Sequence, residues 1–361
     1  MTTDIDYEAT GPNYAVEKLL DVRERLHQAI AAISAKIVPG LVEEDAVAMA
    51  RGILGELGMR KGWHRVIVRF GPNTTKDFMA DALSFSRGHE GRRRMLASVH
   101  IYPLKGGRAV DLDEAVVEPW GLAGDRRWLL VDPDGQFITQ RRHPALARLV
   151  VRYGPGADIT VSSDGYPSLR IAAPDGSAEP LKVTVWRSMV LAAAAGPAAD
   201  AWFSGYLGVP VRLVYLDDPT RRAVDPEFGA DGDVVSFADG YPLLLTSTGS
   251  LDQLGEWLTE AGDRPVPMNR FRPNVVVDGY EPWAEDRWRR IRIGPVSFRV
   301  VKPCGRCVVT TIDQATGERG SQPLRILAAR RRFGQNVIFG QNIIPDSPGL
   351  IRVGDPVEVT V

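Results

Sequence analysis

"VKPCGRCVVTTIDQATGE", residues 301–318, holds both cysteines of the chain, Cys304 and Cys307, set three apart beside Lys302 and Arg306. How this pair is read decides the fold around it, because each kind of cysteine chemistry sits in a different local structure. A thioredoxin-like Cys-x-x-Cys opens a helix, whose N-terminal end lowers the thiol pKa. Here Val308-Val309-Thr310-Thr311-Ile312 follows and reads as strand. A structural zinc site usually takes four ligands, often from two such pairs. The chain has no second pair, and His27, His64, His89, His100 and His143 are scattered without HxxxH or HExxH spacing. Two small buried residues in a strand are the packing alternative. The fourth reading is one thiolate for a soft, redox-active metal centre that brings its other ligands. Lys302 and Arg306 would favour that thiolate by charge, or would simply be solvated. The residues alone leave these readings open.

The rest of the chain narrows the class. With 361 residues there is length for two or three domains, each able to bury a core. The 44 basic and 45 acidic side chains nearly cancel, so no global attraction to nucleic acid or anionic membrane is expected. No apolar run reaches the roughly 20 residues needed to span a bilayer. The opening MTTDIDYEATGPN lacks a secretory n-region and h-region. Two cysteines are too few for a disulfide framework, and a cytoplasmic location is expected.

Three parts follow from the patterning. Residues 14–57 read as helical: Val16, Leu19, Leu20, Leu26, Ile30, Ile33 and Ile37 recur near spacings of 3 and 4. Pro39-Gly40 stops the first helix, and EEDAVAMARGILGELG forms a second with Gly58 as its cap. RVIVRF (65–70) reads as a strand and GPNTTKDF as a turn. From Leu96 short β-branched runs dominate: SVHIYPL, RWLLVD, ARLVVRY, DITVSS and VPVRLVYL. Asp134-Gly135 marks a hairpin. Helices are expected at 197–207 and 249–261, and DDPTRRAVDPEFGADGDVV (217–235) reads as a linker. The last part, 236–361, alternates PNVVVDG, RIRIG, VSFRVV, CVVTTI, LIRVG and PVEVTV with turns. The fold class is therefore mainly β with helices (α+β). Two β-barrel domains, 95–216 and 236–361, are preceded by a helical segment, 1–94, rather than by regular βαβ alternation.

KPCGRCVVTTIDQATG (302–317) resembles the hallmark of the MOSC family, the molybdenum-cofactor sulfurase C-terminal domain. The likeness extends to SVHIYPLKGGRAVDLDEAVVEPWGLAGDRRWLLVDPDGQFITQRRHPALARL (98–149), which resembles the β-barrel domain that precedes MOSC in one subfamily. RFRPNVVVDGYEPWAEDRW (270–288) and FGQNIIPDSPGLIRVGDPVEV (339–359) also fit. Several motifs in the right order are far more specific than any one. The subfamily is that of the amidoxime-reducing components. The resemblance implies a molybdenum–molybdopterin cofactor and reduction of small N-hydroxylated or N-oxygenated compounds by oxygen-atom transfer.

By the same resemblance Cys307 is the molybdenum ligand and the catalytic residue, while Cys304 stands where the family varies. Lys105 (YPLKGG), Arg126 (GDRRW), Arg272 and Asn274 (FRPN) and Arg306 are implied cofactor contacts, with Ser247 (LLLTSTGS) a weaker one. Arg suits this role because its fork meets phosphate oxygens in bidentate geometry. Lys105 and Arg126 also read as surface charges, and Arg272 beside Pro273 as a turn residue. The sequence departs from the family where Ser often follows the matching Lys; here it is Gly106. Thr310, Thr311 and Asp313 read as finishing a strand and turn. With no cysteine after Cys307 for a ferredoxin cluster, electrons are expected from a separate donor protein.

EKLLDVRERLHQ…GPNTTKDF (17–78) resembles a different family, the start of the creatinase- and aminopeptidase-like metallopeptidase domain. The downstream metal ligands of that family have no counterpart, so no peptidase activity is expected, and His64 is left without metals to serve. Met95, directly before LASVHIYPLKG, is a candidate start. Two rivals to the reductase remain: a sulfur carrier using a cysteine persulfide, and a carrier of the molybdenum cofactor. Pyridoxal phosphate is not expected, because the N-terminal part is too short for the domain that holds it in full cofactor sulfurases.

Overall fold

A computed structural model describes residues 16–37, 43–57, 93–177 and 180–360. It divides into two compact units, Met1–Arg92 and Arg93–Val361. In the first, helices Val16–Ser34 and Glu43–Glu56 form where the periodicity places them. Ala29, Ala46, Ala50 and Ile53 are buried, whereas Ile30 of the expected stripe is exposed. Pro39-Gly40, Gly58, His64 and the expected strand and turn at 65–78 lie outside the described residues.

The second unit carries the β-structure. Its largest sheet runs in the order Val357–Thr360, Arg290–Ile293, Val296–Gly305, Asn336–Pro345, Leu243–Ser247, Val275–Asp278, Met95–Ile101, Val110–Leu112, with Arg332–Phe333 pairing onto Asn336–Pro345. Arg290–Ile293 alternates exposed and buried positions, the pattern of a strand with one face on a core. That core gathers Leu96, Val99, Ile101, Val117, Leu243, Leu245, Val275, Phe298 and Ile343. Met95–Ile101 hydrogen-bonds antiparallel to Val275–Asp278. The first strand of the expected N-terminal barrel is thus built into the sheet of the C-terminal part, and the two are joined by backbone pairing.

Two central strands, Leu243–Ser247 and Asn336–Pro345, fall in stretches whose pattern does not read as strand in the sequence. Leu243–Ser247 (LLLTS) is buried at every position and runs parallel to Val275–Asp278, with helix Thr248–Glu260 in the connection. A strand covered on both faces shows no alternation to read. One βαβ unit therefore sits inside an otherwise antiparallel architecture.

A second sheet contains Trp128–Val131, Arg212–Tyr215, Ser188–Ala194 and Pro180–Val185, and a third Val150–Tyr153, Ile159–Ser163 and Tyr166–Ile171. Helix Pro197–Leu207 buries Ala199 and Phe203 and ends on Gly208 in the left-handed region. The expected hairpin at 132–136 forms: the Asp132 carboxylate accepts from the amides of Asp134 and Gln136. Gly135 has φ +78°, and a Cβ there would stand 2.6 Å from the Lys182 carbonyl, so glycine is required.

The segment 217–235 between the two β-rich parts has only a 3-10 turn, Pro219–Arg221, and it is anchored. Val224 and Val235 are buried with Ala238 and Ile344. Buried Arg222 donates to the carbonyls of Ser236 (2.6 Å), Ala238 (2.5 Å) and Asp239 (3.0 Å). The run after Cys307 is not a strand. Val308–Thr311 is a 3-10 turn, because the hydroxyls of Thr310 and Thr311 donate to the carbonyls of Cys307 (2.9 Å) and Val308 (2.8 Å). Local hydroxyl-to-backbone bonds outcompete β-propensity here.

Glu285 is fully buried and accepts from the hydroxyls of Ser250 (2.6 Å) and Ser247 (3.1 Å). Burial pushes its carboxyl up, against the pull of those hydroxyls. A raised carboxyl pKa stabilises the fold most below the unfolded value near 4.3, and that contribution is lost as pH rises through the folded value. Glu285→Gln keeps the shape without the charge. Thermal unfolding of this variant should show a higher midpoint than the parent at pH 8, with the gap closing towards pH 4; a lower midpoint at pH 8 would contradict the assignment.

Candidate functional site

A cleft of about 890 Å³, counting its open mouth, lies within the second unit. It is lined by residues of both β-rich parts, among them Lys105, Arg126, Trp186, Asp239, Arg272 and Cys307. Its floor is organised by one ring. Tyr102 is buried, and two guanidinium groups lie over it, Arg126 at 4.5 Å and Arg272 at 4.2 Å from the centroid. Both arginines have left-handed backbones, φ +48° and +56°. Such a conformation costs a bulky residue on the order of 1–3 kcal/mol and persists only where the surroundings impose it.

The surroundings here do impose it. Arg126 donates to the Asp125 carboxylate (2.5 Å), the Asn274 side-chain oxygen (3.1 Å) and the Arg272 carbonyl (3.3 Å). Arg272 donates to the Gly107 carbonyl (2.8 Å) and to Gln314 Oε1 (3.1 Å). Burial lowers the Arg272 guanidinium to about 10. For Arg126 burial acts the same way, but the Asp125 charge and hydrogen bond overcome it and the pKa is raised. Tyr102 is pushed up to about 12 by burial, so it stays a neutral platform for the two cations.

Lys105 is buried and pairs with Asp239 at 2.5 Å. Burial brings its ammonium down to about 8 despite that partner. Asp239 keeps most of its side chain exposed at the cleft, and Lys105 and the Trp186 indole N–H (3.2 Å) hold its carboxylate well below the usual range. Gly106 has φ +87°, and a Cβ there would come within 3.2 Å of Leu146. Its carbonyl accepts from Gln140 Nε2 at 2.6 Å. The glycine after Lys105 therefore fits a left-handed turn that a serine would strain.

On the cysteine side, strand Val296–Gly305 carries Cys304 to the cleft, and Cys307 follows just before the 3-10 turn. Both thiols are free and partly exposed. Arg306 bridges the loop: its backbone N–H donates to Val337 O (2.7 Å), Nη1 to Cys304 Sγ (2.8 Å) and Nη2 to the Phe271 carbonyl. Its buried Nε has no partner.

The site residues expected from the sequence thus separate into two sets. Lys105, Arg126, Arg272, Asn274, Arg306, Cys304 and Cys307 all border one cleft. Asn274 does so with its amide engaged: its oxygen accepts from Arg126 and the Leu244 N–H, and its nitrogen donates to the His100 carbonyl. Its role is to hold Arg126. Ser247 is elsewhere. It is buried as the N-cap of helix Thr248–Glu260, bonded to Ser250 and Glu285, and does not line the cleft. Thr310 and Thr311 bond back to the backbone, and Asp313 caps its own turn and pairs with Arg270 at 3.0 Å.

Sequence reasoning missed Asp239, Trp186 and Arg141. Trp186 turns the hairpin between Pro180–Val185 and Ser188–Ala194 with φ +57°, and it is 45% exposed. Arg141 lies over its ring at 4.9 Å. No spacing could have joined these positions; only the fold brings 141, 186 and 239 together. Among the described residues no group of three or more His, Cys, Asp or Glu is arranged to hold a metal ion. A metal here would need a ligand set brought largely by a cofactor.

A two-barrel unit with a cation-lined cleft bordered by two thiols is the class that fold and site define. Family comparison agrees: residues 94–210 match the MOSC N-terminal beta barrel domain and residues 232–358 the MOSC domain. The human protein named mitochondrial amidoxime-reducing component 1 is 31% identical over 302 residues, covering 76% of this chain and 88% of that one. A molybdenum cofactor sulfurase from Anopheles gambiae is 31% identical over 293 residues, covering 75% of this chain but 36% of its own length. Among solved structures the YUAD protein of Bacillus subtilis matches 73% of this chain and 96% of that one, at 12% identity and a TM-score of 0.34. The chain belongs to the MOSC-domain family. Among its described residues no helix is long and apolar enough to cross a membrane.

The lowered Lys105 sets a pH test of anion binding. Below about pH 8 the ammonium is charged; above it the cleft loses one cation. Pyrophosphate affinity, followed by calorimetry on the cofactor-free protein, should fall about tenfold per pH unit above that point. Lys105→Gln should flatten the dependence. A flat profile in the parent would show that Lys105 does not meet the anion.

Proposed function

We propose that the chain is a molybdenum-cofactor-dependent reductase of small N-oxygenated compounds, with Cys307 as the protein's ligand to the metal. The observation that carries this reading is the convergence of a partly exposed thiol, buried Lys105 and the half-buried Arg126, Arg272 and Arg306 on one cleft. The residues present fit a phosphate-bearing cofactor. Burial lowers the pKa values of Lys105 and Arg272, and a bound anion would raise them again by stabilising the charged forms. The orphaned Arg306 Nε is a buried donor still without an acceptor. Charge-assisted Arg–phosphate bonds are roughly twice as strong as neutral ones. Human and Anopheles relatives bear names that speak of amidoxime reduction and of the molybdenum cofactor.

In this reading Lys105, Arg126 and Arg272 hold the anionic end of the cofactor, with Asn274, Asp125 and Tyr102 fixing the two guanidiniums. Cys307 faces the other end of the cleft. Arg306, tied to Val337 and Phe271, keeps the cysteine loop in place and sets a positive charge beside the Cys304 sulfur. The cofactor, when bound, supplies two-electron abstraction of oxygen from nitrogen. Trp186, Phe137 and Tyr241 line the cleft with aromatic surface for an organic substrate. A small substrate and a separate electron-donor protein are the partners this implies.

The Arg306–Cys304 contact favours a second reading, in which Cys304 carries persulfide sulfur for transfer; a guanidinium 2.8 Å away stabilises such an anion. One pair of variants separates the two. Cys307→Ala should abolish benzamidoxime reduction by a chemical electron donor, at least 100-fold by analogy with other losses of an essential group, while circular dichroism and Tm stay near the parent. Cys304→Ala should retain at least about half the rate. Retained activity in Cys307→Ala would defeat the ligand assignment, and persulfide on Cys304 with loss of function in Cys304→Ala would favour sulfur transfer.

A further inference from the structure

The mouth of the cleft carries a concentration of charge that the composition hides. The whole chain has a net charge of −1, yet the cysteine end is edged by arginines. Arg141 lines the cleft and Arg142 follows it, exposed. Arg319 is exposed and donates to the Arg141 carbonyl at 2.5 Å, which joins the 312–319 loop to this edge. Arg332 is exposed on the short strand Arg332–Phe333, where it pairs with Val337, the residue whose carbonyl receives the Arg306 N–H. Among the described residues none of these four has a carboxylate within ion-pair distance. Of the acids nearby, Asp239 is taken by Lys105 and Asp313 by Arg270, exposed Glu318 stands next to Arg319, and exposed Asp225 and Glu227 lie by Tyr241 on the cleft wall, away from these four in sequence.

Two large apolar side chains stand in the same place. Val308, directly after Cys307, is 51% exposed, while its neighbour Val309 lines the cleft. Phe333 is 56% exposed, and its strand partner Asn336 lies 3.6 Å from where a Cβ on Gly305 would be. The loop Cys304–Val308 thus carries exposed Val308 at its end and is backed by the strand of exposed Phe333, on which Arg331 stacks at 4.9 Å, with the four arginines on the segments tied to it. Of these side chains only Arg141 lines the cleft; Arg142, Arg319, Arg332, Val308 and Phe333 do not. Apolar contact inside a charged rim is the make-up of a short-lived, electrostatically steered protein interface.

We infer that this rim docks a small acidic electron-carrier protein, which delivers its electrons at the cysteine loop. The inference rests on the reductase reading. The reaction needs such a partner: cleaving R–NHOH to R–NH₂ and H₂O consumes two electrons and two protons. The N–O bond breaks, the oxygen leaves as water with the protons from solvent, and two one-electron carriers are oxidised in turn. Redox encounters of this kind are small, under roughly 1,200 Å². They gain on-rate from complementary charge and lose it with salt.

The test uses the molybdenum-loaded full chain, benzamidoxime as a neutral substrate, and two donors. One is an acidic [2Fe–2S] ferredoxin kept reduced by its reductase; the other is reduced methyl viologen, a small cation. With ferredoxin, kcat/KM should drop at least about tenfold between about 50 and about 300 mM NaCl. At low salt the double variant Arg142→Glu/Arg332→Glu should lose about tenfold or more through a raised KM for ferredoxin. With methyl viologen neither salt nor the double variant should change the rate more than about twofold. Ferredoxin kinetics indifferent to salt and to the double variant, with viologen activity intact, would overturn the docking surface alone. Equal losses with both donors would also overturn it, by showing that the arginines serve the site itself. No turnover with viologen would overturn the reductase reading and the docking surface with it.

Discussion

Two arginines lying over one buried tyrosine are the constraint on which the rest of the site depends. Tyr102, Arg126 and Arg272 come from three separate stretches, and each guanidinium is held within 4.5 Å of the same ring centroid. Desolvating two like charges so close together is unfavourable. The fold compensates with the buried Asp125 carboxylate, the Asn274 amide and a set of backbone carbonyls. Without an anion in the cleft the positive charge exceeds the negative. An anionic ligand is the natural completion of that balance, which is why the geometry favours a phosphate-bearing cofactor over a neutral one.

The same constraint explains how the two β-rich parts are joined. Arg126 belongs to the N-terminal part and Arg272 and Asn274 to the C-terminal part, so the cation pair exists only when both are assembled. Strand Met95–Ile101 ensures this by pairing with Val275–Asp278, immediately after the Arg272-Pro273-Asn274 turn. The strand leads directly into Tyr102, and the Tyr102 hydroxyl donates to the Pro273 carbonyl at 3.1 Å. Arg222 adds a tie from the 217–235 loop, gripping three carbonyls that end at Asp239.

Much of this was legible in the sequence, and the failures have physical reasons. Helices at 197–207 and 249–261 and the strands at RIRIG (290–294) and VSFRVV (296–301) follow from caps, alternation and β-branching, although the second runs on to Gly305. The Asp134-Gly135 hairpin follows from turn chemistry. Lys105, Arg126, Arg272 and Cys307 were reached through motif resemblance. Leu243–Ser247 was missed because a strand buried on both faces has no alternation. The run after Cys307 was misread because Thr310 and Thr311 spend their hydroxyls on the backbone and close a 3-10 turn. Ser247 was misplaced because a serine at a helix N-cap and a serine at a ligand look alike in sequence. Trp186, Arg141 and Asp239 carry no signal at all until the sheets bring them together.

The central claim is that Cys307 and the cations across the cleft hold one molybdenum cofactor. Metal analysis with fluorescent detection of oxidised pterin, on protein purified from a molybdenum-replete host, tests it most directly. The expected result is about one molybdenum and one pterin per chain, as a single-thiolate site requires, with molybdenum lost in Cys307→Ala. Protein that folds as the parent but carries neither molybdenum nor pterin would contradict the account.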